Sequence, residues 1–119
     1  MAEKCAIICN GSEPKNVYPT FILGSTAASL GYEVVLFFIP AGGKVLKKGF
    51  LENMKLENMP ELPGLQEAIK EMGGRFLLCE LALKVVPDLT KEDLIDGAEV
   101  VDAATFFGAI EGANLTFSF

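Results

Sequence analysis

The 119-residue chain contains no histidine. Without an imidazole, neither a Cys-His nor a Ser-His catalytic pair can form within one chain. Cysteine is scarce as well: Cys5, Cys9 and Cys79 are an odd set without framework spacing. That excludes a disulfide scaffold and fits a reducing compartment. No Cys-x-x-Cys occurs, which removes the usual thioredoxin-like motif. Cys5 and Cys9 lie four apart on one apolar run, about 13 Å if extended, too far to bridge. Zinc would need four converging ligands.

Basic charge is in deficit, with 10 Lys and Arg against 16 Asp and Glu and a net charge of −6. Binding to nucleic acid or an anionic membrane surface is not expected. No apolar run approaches the roughly 20 residues that span a bilayer; the longest, Val34 to Ile39, stops at Pro40. The apolar stretch after Met1-Ala2-Glu3-Lys4 is too short for a signal peptide, so the expected location is the cytoplasm. Gly42-Gly43-Lys44-Val45 lacks the spacing and the Ser/Thr of a phosphate loop, and Asn10-Gly11-Ser12 is not a dinucleotide-binding glycine pattern. No cofactor is expected. Asp93, Asp96 and Glu99 read as solvated acids in a polar turn, and no metal is expected.

What the chain has in quantity is apolar residue: 50% are hydrophobic and mean hydropathy is +0.37. In one domain, 1–119, this points to a mostly buried parallel sheet and a subunit interface. Lys4 to Asn10 reads as a buried first strand. Ser12 is placed to cap a helix with Pro14 in its first turn, and Pro19 sets the regular helix from there to Leu30, stopped by Gly31. Glu33 to Ile39 is a second strand, β-branched and aromatic. A short helix over Lys44 to Phe50 follows, then an irregular stretch from Leu51 to Pro63, read as a lid or an oligomer contact. Leu65, Ile69 and Met72 share one helical face ended by Gly73-Gly74. Phe76-Leu77-Leu78 is a buried third strand, Glu80 to Val86 a helix, and Thr90 with Asp93 resembles a capping box. Glu99-Val100-Val101, Ala103 to Glu111 and Leu115 to Phe119 read as strand, helix and strand. This alternation predicts an α/β fold with a five-stranded, mainly parallel sheet covered on both faces.

Cys79 stands where the third strand ends, and in open α/β sheets ligands and reactive groups gather at the carboxyl ends of strands. Its plain alternative is packing, since buried cysteine behaves as a small hydrophobe. Reactivity needs a thiolate, favoured by a helix start or lysines nearby; Lys44, Lys47 and Lys48 follow the neighbouring strand, while Glu80 opposes ionisation. Asn10 and Gly11, closing the first strand, and Lys44 and Glu80 are the candidate pocket residues around Cys79.

Four stretches carry a family resemblance. They are the opening strand to Asn10-Gly11 with its helix, Val45-Leu46-Lys47-Lys48-Gly49, Gly73-Gly74-Arg75-Phe76-Leu77-Leu78-Cys79, and Leu94-Ile95-Asp96-Gly97-Ala98-Glu99-Val100-Val101-Asp102-Ala103-Ala104-Thr105-Phe106. The chain resembles the DsrE/DsrF-like family, also labelled predicted peroxiredoxins and related to the sulfur-relay subunits DsrE and TusD. The resemblance implies a three-layer α/β/α sandwich, flavodoxin-like, with strands ordered fourth, third, second, first, fifth. It also implies a trimer or hexamer. In relay members a cysteine accepts sulfur as a persulfide and passes it to a partner thiol on a sulfur-carrier protein, and Cys79 is the matching position. Some relatives carry a second cysteine soon after, where this chain has Glu80-Leu81-Ala82-Leu83. It also lacks the Thr-x-x-Cys context of a peroxidatic site. The expected function is sulfur acceptance and transfer through Cys79, a sulfurtransferase-like activity. The alternatives are a small-ligand-binding module and a structural oligomer subunit.

Overall fold

The computed structural model describes residues 3–119. Five strands, β1 (Lys4–Cys9), β2 (Glu33–Phe38), β3 (Arg75–Cys79), β4 (Ala98–Val101) and β5 (Leu115–Ser118), form one sheet in the order β4-β3-β2-β1-β5. Every neighbouring pair is parallel. The helices are α1 (Pro14–Ser29), α2 (Phe50–Asn53), α3 (Leu62–Glu71), α4 (Ala82–Val85) and α5 (Ala103–Ala109).

Crossover handedness distributes them. From β1 through β4 each parallel step goes the same way along the sheet, so right-handed connections lay their helices on one face. The step from β4 to β5 runs back past β1, and its helix, α5, falls on the other. The packing agrees. On the first face Cys5, Ile7, Cys9, Val34, Leu36, Phe38, Phe76 and Leu78 join Val17, Phe21, Leu51, Ile69 and Ala82 of the helices. On the second, Val35, Phe37, Leu77 and Cys79 meet Phe106 of α5. The result is a three-layer sandwich whose second outer layer is one short helix.

Several boundaries differ from the sequence reading. The first helix starts at Pro14, not Pro19, and its N-cap is Glu13 rather than Ser12. The Asn16 side chain accepts from the Glu13 N–H at 3.3 Å. Pro19 forfeits one ladder bond, but Val17 and Phe21 on either side are fully buried, and that packing outweighs the loss. Lys44 to Phe50 is not a helix: a 3-10 turn spans Pro40–Leu46, and α2 begins at Phe50. The expected helix after β3 shrinks to the single turn of α4. Thr90 and Asp93 do form the capping box, around a 3-10 turn at Lys91–Asp93.

Candidate functional site

Register decides what the strand-end cysteines can reach. Cys9 pairs with Phe38, and Phe38 pairs with Leu78, so these three share a level and a face. Cys79 is one residue further along β3, and side chains alternate across a sheet. Its thiol therefore points to the opposite face from Cys9, with β2 between them.

The two environments differ. Cys9 is fully buried, and its Sγ lies 3.3 Å from the Gly11 carbonyl oxygen and 3.8 Å from that of Asn16. Burial pushes the Cys9 thiol above its usual value, and Cys5, 1% exposed, is raised for the same reason. Cys79 is also buried, with 7% of its surface exposed, at the carboxyl end of β3 on the second face beside Val35, Phe37, Leu77 and Phe106. The Phe106 ring stacks on Phe37 with centroids 4.1 Å apart and covers this layer. All three thiols are free.

The residues grouped with Cys79 from sequence are divided by the structure. Asn10 donates its N–H to the Phe119 carbonyl at 2.7 Å, extending the β1–β5 pairing. Gly11 packs against the Asn16 side chain so closely that a Cβ there would overlap its amide oxygen. Lys44 is exposed on the 3-10 turn. That turn lies over the first face, where Gly43 approaches Ala82 and Leu78. Glu80 is exposed and donates its N–H to Val101 at 2.9 Å, adding one rung to the β3–β4 ladder. The turn that carries Lys44 thus packs over the first face, with Gly42 close to Gly11, whereas Cys79 is buried on the second. The expected electropositive support is not assembled around its sulfur: the 3-10 turn and α4 pack on the far side, and α4 is one turn long. The surroundings that sequence reasoning missed are aromatic. Phe106 stood in a recognised stretch, but nothing in its spacing told which strand it would cover.

Two of the three acids Asp93, Asp96 and Glu99 have side-chain partners. Glu99 accepts from Arg75 Nε at 3.0 Å and Nη2 at 2.8 Å, which holds its carboxyl below the usual range. Asp93 is lowered chiefly by its hydrogen bond from Thr90.

Two clefts open on the first-face side, around the stretch read as a lid. One, about 340 Å³, is lined largely by apolar side chains between Tyr18 and Pro63. The other, about 530 Å³ and more open, carries Lys47, Lys48 and Lys55. Neither is lined by Cys79. No helix among the described residues is long and apolar enough to cross a membrane.

The chain matches the sequence model of a family described as DsrE/DsrF/DrsH-like over residues 1–51 and 43–117. It is similar to the sulfur carrier protein DsrE2 of Allochromatium vinosum, 52% identical over 46 residues, which is 39% of this chain. The match covers 29% of that relative, so the chain corresponds to under a third of its length. The crystal structure of the ychN protein from E. coli superposes with a TM-score of 0.74 at 16% identity, covering 98% of this chain and 99% of that one. At such identity the likeness concerns the fold.

Proposed function

Because the chain belongs to the DsrE/DsrF/DrsH-like family, we propose that it is a sulfur-relay protein that carries sulfane sulfur on Cys79. The observation that supports this is selective access. All three thiols are buried, but Cys79, 7% exposed on the second face against 1% for Cys5 and 0% for Cys9, is the least enclosed. The similarity to a sulfur carrier supports sulfur as the cargo. In the loading step the Cys79 thiolate attacks the outer sulfur of a donor persulfide. A new S–S bond forms at Cys79, the donor's S–S bond breaks, and the donor leaves as a thiolate. No net oxidation occurs, and no second cysteine in the chain is required. Delivery is the same exchange with an acceptor thiol on a carrier partner.

Access is narrow, so loading depends on reagents or partners that reach past the Phe106 edge. Leu81, two residues beyond Cys79 in the chain, and Phe107 next to Phe106 on α5 are exposed and offer a partner apolar surface. A reducing cytoplasm suits three unpaired cysteines.

Incubation with a low-molecular-weight persulfide, followed by intact mass measurement, is expected to add the mass of one sulfur atom to the wild type. Cys79→Ser is expected to add none. Equal addition to the variant, or none to the wild type, refutes the reading.

We further propose a homo-oligomer, trimeric or hexameric. Leu115 and Phe117 on edge strand β5 stay substantially exposed, and Phe117 stacks on Phe119. An apolar edge of this kind is ordinarily covered. Sedimentation velocity is expected to give a mass of three or six chains, and a monomer across the micromolar range would refute it. The second reading, a small-ligand-binding module, draws on the two clefts that lie away from Cys79.

A further inference from the structure

The segment from Lys47 to Pro63 does nothing for the thiol, yet it shapes both clefts. The clefts share Met54, Lys55 and Leu56 in their linings, and these residues are where they meet. On one side the walls are Tyr18, Leu51, Met59 and Leu62, with Pro60 and Pro63. A volume of about 340 Å³ falls within the roughly 300–1,000 Å³ of small-molecule sites. On the other side are Lys47, Lys48 and Lys55, with no carboxylate in the lining. That is unusual in a chain whose acids outnumber its bases.

From this arrangement we propose that the paired clefts bind an anionic amphiphile: an aliphatic tail among Tyr18, Met54, Leu56 and Met59, and a carboxylate head among the three lysines. Four observations converge on that occupant. Leu56 and Met59 stand 46% and 39% exposed at the apolar mouth, surface that a tail would cover. Methionine side chains at 54 and 59 adapt to an irregular chain. The walls are held in place, because the Tyr18 hydroxyl accepts from the Leu56 N–H at 3.0 Å and donates to the Met54 carbonyl at 3.3 Å. Finally, the lysines have donors to spare. Lys47 Nζ reaches the Asp88 carbonyl at 3.4 Å and Lys48 Nζ that of Glu92 at 3.2 Å. Each uses one of three N–H bonds. Glu52 and Glu61, lining the apolar cleft, repel an acid head from that end and set the direction of binding.

The test is titration of the whole chain with dodecanoate below its micellar range, read by calorimetry and by the methyl resonances of the methionines. Saturable binding is expected, with Met54 and Met59 shifting and Met72, on the far end of α3, unmoved. Replacing Lys47, Lys48 and Lys55 by glutamate is expected to weaken binding roughly tenfold or more. On the unaltered protein, dodecyltrimethylammonium of the same tail length should bind far more weakly, a comparison that does not depend on the variant folding. No saturable binding, equal affinity for the cationic amphiphile, or a folded triple variant that binds as well overturns the proposal. Cys79→Ser should bind dodecanoate like the wild type, so failure of the sulfur-relay reading and failure of this one are distinct results.

Discussion

Replacing Phe106 by alanine is expected to cost about 3–5 kcal/mol of stability and to speed alkylation of Cys79 in the folded protein. Phe106 is the buried side chain of α5, and α5 is the whole helical cover of the second face. Its ring stacks on Phe37 in β2 and shares a cluster with Cys79. Truncation removes the stacked pair and leaves a cavity that so short a helix is poorly able to close. Urea unfolding gives the first quantity, and timed iodoacetamide labelling with mass mapping gives the second. Cys5 and Cys9 report on the specificity of the effect, since both belong to the opposite layer. Faster labelling of Cys79 alone means that the cover has been lifted, whereas equal acceleration at all three means global unfolding. Unchanged labelling at Cys79 would show that Phe106 is not what limits access.

Gly42→Ala is expected to destabilise by about 1–3 kcal/mol, toward the upper end of what overpacking costs. A Cβ on Gly42 would overlap the Cys9 carbonyl oxygen and stand 3.1 Å from that of Gly11. Both obstacles are backbone and cannot rotate aside. The Cys9 carbonyl also accepts the Ile39 N–H at 3.3 Å, so displacing it loosens the exit of β2 as well as the end of β1. Gly64→Ala is the matched control. It lies within α3 with open space around it, and gains helix propensity of up to about 1 kcal/mol. Thermal melts that rank the two variants the other way would refute this account of the turn.

The sheet was legible in the sequence because its strands are apolar runs bounded by glycine and proline. Lys4 to Asn10, Glu33 to Ile39 and Phe76 to Leu78 each lie within a residue or so of the observed strands. Strand order came from the family resemblance, not from periodicity. Helix starts were harder. Pro19 looked like a boundary by local rules, yet burial on either side of it carried the helix through. The 3-10 turn after β2 was hidden because Lys44, Lys47 and Lys48 space like a helical face, while Gly42 and Gly43 are held by tertiary contacts with β1 and α4. Cys79 was singled out by its strand-end position and by the family resemblance. Its neighbours were misjudged, because which face a strand-end residue takes depends on registers spread over three strands.

The alternation that turns Cys9 and Cys79 to opposite sides of the sheet has a consequence for redox traffic. No rotamer change can join them, and Cys5 shares the Cys9 side. On the proposed reading, a sulfur loaded on residue 79 would find no second thiol among the described residues to relieve it. Its discharge would come from another molecule, and the lifetime of the loaded state would be set by that encounter.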